Sequence, residues 1–275
     1  MTKPKVTILM ATWNRAGLIG RAIESVRNQS FKSWELIIAD DGSTDGTPKA
    51  IKEWQKKEPR IVYTRSEVNE GISKNYNRGL QMARGEFVAM IDDDDPWCDQ
   101  KKLEKELAFL EKNPEYVGVG GGVIVVDPSG KELYRYLKPK TDAEIRKYML
   151  FSNPMANSTT LFPKSVGERV DWYDETTRYS GDRDFWLKMG RIGKLHNLPE
   201  YFSYYTASEM NTSTARIRPH LKASLMVMKR YKRDYPHYYP ALFINYAQYA
   251  YAYLPEWIRR PAHYYLARLK RAVAG

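Results

Sequence analysis

Cysteine is nearly absent: Cys98 is the only one in 275 residues. An internal disulfide is therefore excluded, and a thiolate zinc site needs more sulfur than the chain has. That usage fits a reducing compartment. No stretch approaches the ~18 uninterrupted apolar residues needed to span a bilayer. The opening Met1-Thr-Lys-Pro-Lys5 runs into strand-like sequence without the apolar core of a secretion signal, so a cytoplasmic protein is expected. The familiar phosphate loops are also missing. There is no Gly-x-x-x-x-Gly-Lys-Ser/Thr, and no Gly-x-Gly-x-x-Gly between a first strand and helix. The phosphates of a bound nucleotide would then be held mainly by a metal. The single glycine cluster, Gly118-Val-Gly-Gly-Gly122, lies in an apolar run and marks a strand closely approached by another backbone.

The composition, 43% apolar and 28% charged, is that of a soluble globular protein. Its length suits one large domain or two closely packed halves. The net charge of +11 is uneven. From Ala215 onward there are twelve Lys and Arg against Asp234 and Glu256, so the first 214 residues are nearly neutral. The nearly neutral body and the basic tail need separate explanations.

Along the body, apolar runs at 6–10, 34–39, 61–64 and 87–91 read as strands. Between them, Leu18, Ile19, Ala22, Ile23 and Val26 form a helical stripe, and helices are expected near 48–57 and 72–83. Strands alternating with helices predict an α/β fold with a mostly parallel sheet flanked by helices. Ligands gather at the carboxyl ends of such strands. Three polar clusters directly follow strands there: 11–14, 40–43 and 92–95. The last is Asp92-Asp93-Asp94-Asp95, four carboxylates at the end of an apolar strand. Their repulsion must be offset, and Asp oxygens are the ligands hard Mg²⁺ or Mn²⁺ prefers. A solvated acidic turn is the plainer alternative.

The second half is less regular. Strands over 117–127 and 133–137 flank Pro128-Ser-Gly130 as a hairpin. Thr141-Asp-Ala-Glu144 is a capping box opening a short helix. A strand is expected over 158–162, a helix from about Asp182 with Phe185, Met189 and Ile192 on one face, and two short strands over 194–198 and 201–206. Asp182 and Asp184 suit a helix N-terminus, where capping alone would account for them.

Together these segments resemble the inverting glycosyltransferases of family 2, which have the GT-A fold (Rossmann-like, with a mostly parallel sheet). The resemblance covers about residues 5–210. It rests on Val6-Thr-Ile-Leu-Met-Ala-Thr-Trp-Asn-Arg15, Ala22–Phe31, Glu35-Leu-Ile-Ile-Ala-Asp-Asp-Gly-Ser-Thr-Asp45, Asn69-Glu-Gly-Ile-Ser-Lys-Asn75, and Asp92–Asp95 followed by Trp97. It implies a nucleotide-sugar-binding half over 1–115, an acceptor-binding and catalytic half over 116–214, and a helical C-terminal extension over 215–275. Asp41 is implied to bind the donor base, with Ala11 and Trp13 packing on base or ribose. A tryptophan at a strand end is also a common core residue, and both readings stand. Asp92 is implied to face ribose or metal and Asp94 the divalent ion on the diphosphate, with a register open by one residue. Lys74 would sit near the diphosphate, or be merely solvated.

Asp182 is the implied catalytic base. Gly181 stands where the family has the first acid of a pair, and Asp184 would be a structural acid. The family's Arg-x-His near the end of the domain is missing, leaving only His196 and His220 as stand-ins. Gln-x-x-Arg-Trp, the mark of processive synthases, is also missing, so transfer of a single sugar is expected. The implied reaction is metal-dependent and inverting: one sugar passes from a nucleotide-sugar, UDP-linked in first place, to the hydroxyl of a saccharide or lipid-linked saccharide. Cell-surface polysaccharide or glycolipid synthesis would be the setting. The rivals are a sugar-phosphate nucleotidyltransferase, whose Gly-rich basic opening is missing here, and a non-catalytic carbohydrate- or membrane-binding module.

The tail combines its cations with ten tyrosines between Tyr231 and Tyr265. Basic residues with interfacial aromatics suit an anionic membrane, each cation near the surface contributing about 1 kcal/mol. Peripheral contact with the inner face of the cell membrane is one expectation. A helical pair packed on the body with a solvated basic face is the other. Nothing else in the chain supports nucleic acid binding.

Overall fold

The computed structural model describes residues 3–207, 216–255 and Trp257. Arg259, Arg260, Tyr264, Tyr265, Arg268, Lys270 and Arg271 of the basic tail lie outside them, as does the proposed boundary at 214/215.

The elements run β1 (Val6–Thr12), α1 (Ile19–Arg27), β2 (Trp34–Asp40), α2 (Thr47–Lys57), β3 (Ile61–Arg65), α3 (Ile72–Leu80), β4 (Phe87–Asp92) and α4 (Lys102–Lys112). Then follow β5 (Tyr116–Val126), β6 (Glu132–Tyr136), α5 (Asp142–Tyr148), a 3₁₀ turn (Asn157–Thr159), β7 (Leu161–Pro163), α6 (Lys164–Arg169), α7 (Gly181–Ile192) and β8 (Lys194–Thr206). Two helices close the described chain, α8 (Ile217–Arg230) and α9 (Tyr238–Tyr251).

The eight strands form one sheet in the order β3-β2-β1-β4-β7-β5-β6, with β8 also on β5. β3, β2, β1 and β4 are parallel, and β7 runs antiparallel to both β4 and β5. Helices cover both faces. Strand side chains alternate between them, so each buried strand feeds two cores. Val6, Ile8, Met10, Ala89 and Ile91 pack with α1, α2 and α4, whereas Leu9, Ala11, Val88 and Met90 pack with α3, α5, α7 and α8.

Several expectations change in detail. α4 and α6 went unread; the stripe Leu103, Leu107 and Leu110 of α4 is buried and was there to be seen. Ser158 belongs to a 3₁₀ turn, and the strand expected over 158–162 is only Leu161–Pro163. The two strands expected over 194–206 are one, bent by register shifts against β5. The Thr141 capping box is present, each partner bonding the other's backbone N–H. The glycine cluster of β5 admits close neighbours: a Cβ on Gly121 would lie 2.8 Å from the Glu200 carbonyl oxygen.

Of the tail, α8 and α9 pack on the body, as the second expectation had it. Their anchor is Arg183 of α7, which is buried. Its guanidinium donates to Ser224 Oγ of α8, to Asn245 Oδ1 of α9 (3.3 Å) and to the Leu150 carbonyl (2.7 Å). Burial pushes this guanidinium down to about 10. Tyr231 donates to Asp184 Oδ1 (2.9 Å) and Tyr235 to the Leu187 carbonyl (2.6 Å), so Asp184 is a structural acid. A buried cation without its acceptors costs far more than one hydrogen bond. Asn245→Ala should therefore lower the unfolding free energy by ~1–3 kcal/mol, read from urea denaturation.

Candidate active site

The sheet register brings the three polar clusters together. Thr12 pairs with Asp40, and Ala11 with Ala39 and Asp92, so all three strand ends lie along one edge. Alternation then separates the acids. Asp92 continues the Val88–Met90 side, toward α3 and α7. Asp93 turns to the opposite side, where its Oδ1 lies 3.7 Å from Arg15 Nε.

Asp92 is held by three side chains from two elements, α3 and the 3₁₀ turn. Its Oδ1 accepts from Tyr76 Oη of α3 (3.0 Å) and Asn157 Nδ2 (3.1 Å), and its Oδ2 from Ser158 Oγ (2.9 Å). Ser158 Oγ also lies 3.1 Å from Asp95 Oδ2, so one hydroxyl proton is shared between two carboxylates. β8 straps the turn from behind: Ser203 Oγ donates to the Asp95 carbonyl (3.1 Å) and Thr206 Oγ1 to the Asp94 carbonyl (3.3 Å). Trp97 is buried and donates from Nε1 to the Ser158 carbonyl (2.7 Å). Beneath its ring lies a buried ion pair, Lys102 Nζ to Glu106 Oε2 at 2.6 Å.

The carboxyls of this turn are all pushed up, first by burial. Asp92 rises to about 6, with Asp94 adding repulsion, and Asp93 to about 8, again with Asp94 adding. Asp94 is raised by burial and Asp95 well raised by burial, Asp92 and Asp94. The acids are short of positive charge. Among the described residues no three His, Cys, Asp or Glu side chains converge as a metal cage. The donor set itself, clustered Asp oxygens raised by burial, is of the kind an ion such as Mg²⁺ takes one or two at a time, with substrate phosphates and water completing its shell.

Asp182 is the second residue of α7, whose first residue Gly181 follows Ser180, left-handed in its backbone (φ 59°). Its Oδ2 accepts from Asn153 Nδ2 (2.7 Å). Asn153 in turn accepts at its carbonyl from Lys138 Nζ (3.0 Å), and burial lowers that ammonium to about 8, partly offset by Asp182. Asp182 lies on the same side of the sheet as Asp92, with Tyr76 and Tyr173 within the fields of both. These two rings pack at 4.8 Å, and Tyr173 stacks on Phe185 at 4.6 Å.

The remaining sequence-derived residues fall into three groups. Ala11 is buried in β1 at the strand-end edge. Trp13 is 49% exposed, so the core reading does not hold. Asp41 is buried and accepts from the backbone N–H of Glu70 (2.8 Å) and Gly71 (2.9 Å), which ties down the loop before α3. Gly42 beside it is obligatory: φ is +73°, and a Cβ there would meet the Val68 backbone at 2.7 Å. Lys74 is exposed, with Glu70 at 4.0 Å. His196 is a packing residue stacked on Phe109 at 4.4 Å. His220, on α8, is half-buried; burial lowers its imidazole while Asp182 acts in the opposite sense. Sequence reasoning missed Tyr76, Asn153, Asn157, Ser158 and Lys138. Tyr76 lies on the apolar stripe of α3 and reads as core; the others carry no local pattern.

The sequence pattern of the family described as Glycosyl transferase family 2 matches residues 7–177. The chain belongs to that family and is a glycosyltransferase of the hexosyltransferase type. It is 33% identical over 201 residues to EpsE of Bacillus subtilis, named as a glycosyltransferase, covering 72% of this chain and 71% of that one. It is 32% identical over 197 residues to the Campylobacter jejuni GalNAc(5)-diNAcBac-PP-undecaprenol beta-1,3-glucosyltransferase, covering 68% and 60%. Two solved structures share the fold. Staphylococcus aureus TarS in complex with UDP-GlcNAc matches at TM-score 0.70 with 18% identity, over 89% of this chain and 72% of that one. The mannosyltransferase PcManGT from Pyrobaculum calidifontis, in complex with GDP-Man and Mn²⁺, matches at 0.65 with 21% identity, over 100% and 77%. The fold is GT-A.

The raised Asp93 gives a sign-definite test in metal-free protein. Its folded value, about 8, exceeds the ~3.9 of an unfolded Asp, so the folded state holds the extra proton in between. Stability is then lost as pH rises from about 4 toward 8. Asp93→Asn removes that loss. The variant should gain on the order of 2 kcal/mol over wild type at pH 8 and much less at pH 5, measured by chemical denaturation in EDTA.

Proposed function

We propose that this chain is a metal-dependent inverting glycosyltransferase that moves one sugar from a nucleotide-sugar, UDP-linked in first place, to an acceptor hydroxyl. One observation carries the reading. Asp92, in a turn short of positive charge, and Asp182, tethered through one oxygen, stand on the same side of the sheet, and both their charges act on Tyr76 and Tyr173. Such an arrangement separates the grip on a leaving diphosphate from deprotonation of an acceptor.

In this reading Asp94 and Asp92 hold a divalent cation, Mn²⁺ or Mg²⁺, together with the donor diphosphate. Bound there, the cation would neutralise charge on the departing nucleoside diphosphate. Trp13, half-exposed at the strand-end edge, offers a ring to base or ribose, with Ala11 beneath. Asp41 keeps lone pairs for an imide N–H of the base while its backbone partners fix its orientation. Lys74 is the weakest member, since Glu70 is its nearest charge. Asp182 accepts the acceptor's hydroxyl proton as that oxygen attacks the anomeric carbon. Asn153 fixes one of its oxygens and leaves the other to the substrate. The two fold neighbours, solved in complex with UDP-GlcNAc and with GDP-Man and Mn²⁺, support a nucleotide-sugar donor.

The acceptor is a saccharide or lipid-linked saccharide, in cell-surface polysaccharide or glycolipid synthesis; the name of the Campylobacter jejuni relative supports that class. The division at 115 and 214 into donor half, acceptor half and extension remains part of the proposal. No helix among the described residues is long and apolar enough to cross a membrane. Peripheral contact with an anionic inner membrane face would use α9, which has no charged residue and exposes Tyr239, Phe243, Ile244 and Tyr246 beside the exposed cations Lys232 and Arg233.

Incubation with UDP-, GDP- and dTDP-sugars plus Mn²⁺ should release nucleoside diphosphate. Pyrophosphate release from a nucleoside triphosphate and a sugar phosphate would instead favour the nucleotidyltransferase. Asp182→Asn should lower transfer by ~10²–10⁴-fold and leave donor binding intact, since a positioned base contributes about that much. Wild-type turnover in that variant would sink the assignment. For the membrane, Tyr239→Ser/Phe243→Ser should weaken co-flotation with anionic vesicles by about tenfold or more, as two interfacial aromatics are removed from the buried face. Equal flotation of variant and wild type would remove α9 from the contact.

A further inference from the structure

The acceptor must lie on the far side of the anomeric carbon from the leaving diphosphate, so a binding wall should run between the Asp turn and Asp182. One surface does so. Tyr136 of β6 pairs with Val123 of β5, which pairs with Ser203 of β8. Cross-strand partners point to the same face. The Ser203 hydroxyl holds the Asp95 carbonyl at 3.1 Å, so the ring of Tyr136 borders the metal-side turn. Tyr134, two residues earlier, shares that face by strand periodicity, pairs through Val125 with Tyr205, and has its ring centroid 6.3 Å from that of Tyr136. At the other end the Lys138 ammonium sits 5.5 Å from the Tyr136 ring centroid and 3.0 Å from the Asn153 carbonyl, whose side chain holds Asp182. Both tyrosines are 36% exposed on a strand whose five residues all face solvent.

We infer that Tyr134, Tyr136 and Lys138 form the binding wall for a saccharide acceptor. This rests on the proposed reading of Asp182 as the base. Pyranose rings present flat C–H faces to aromatic rings, and the ammonium supplies N–H donors to ring hydroxyls. Stacking on Tyr136 directs a hydroxyl toward Asp182, while Asn153 keeps Lys138 and Asp182 in fixed relation. The wall takes uncharged sugar rings by stacking, so aromaticity at position 136 matters more than its hydroxyl.

The test uses the full chain with UDP and Mn²⁺, and a panel of methyl pyranosides (glucoside, galactoside, mannoside and N-acetylglucosaminide) read by saturation-transfer NMR. At least one pyranoside should receive saturation from wild type. Tyr136→Ala should weaken that binding tenfold or more, Tyr136→Phe by no more than about twofold, and UDP titration should be the same in all three. Equal pyranoside binding by Tyr136→Ala, or none by wild type that still binds UDP, overturns the wall and leaves the donor site standing. Failure of every nucleoside diphosphate to bind overturns the function itself. Monomerisation of a dimer by Tyr136→Ala, without a change in saccharide binding, would make β6 a contact between copies and also overturn it.

Discussion

Mutual repulsion within Asp92–Asp95 is the constraint around which the rest is arranged. Four carboxylates at one strand end would spring apart in a low-dielectric setting. Here the alternation of β4 divides them between two faces. One serine hydroxyl serves Asp92 and Asp95 together, and β8 holds the turn's carbonyls from behind. These neutral contacts keep the backbone in place while leaving the charge uncompensated. In the proposed reading, a cation would bind here strongly only with further ligands from the substrate, which suits a donor that carries its own phosphates.

The sheet, the order of the polar clusters and the family were legible because they depend on local pattern. Apolar runs ending in polar turns fixed β1, β2 and β4, and period two assigns Asp92 and Asp93 to opposite sides. The separation of Asp92 from Asp182 by ninety residues of sequence hid their common side until β4 and α7 were placed against α3. Asn153 and Lys138 were invisible for the same reason: each acts through one contact made by an irregular segment. α4 was not among the expected helices, although Leu103, Leu107 and Leu110 recur at plain helical spacing just after the acids. Trp13 shows the reverse case: exposure alone removes the core reading, and its contact with base or ribose belongs to the proposal.

The C-terminal helices were read as an extension, and their packing makes them more than that. α8 and α9 reach Arg183, the residue next to Asp182, through Ser224 and Asn245. Tyr231 and Tyr235 bond to the same helix. The start of α7 is thus clamped by both helices, with a buried guanidinium as the pin.

That clamp has a consequence for how such a chain can diverge. Exchanging such a tail between related chains would change more than a terminus. Here an exchange would carry off the acceptors of Arg183 and strand a positive charge beside Asp182. Residue 183 and the helices that satisfy it form one inheritable module. A grafted tail would have to bring its own equivalents of Ser224 and Asn245, or arrive with an apolar residue in place of the arginine.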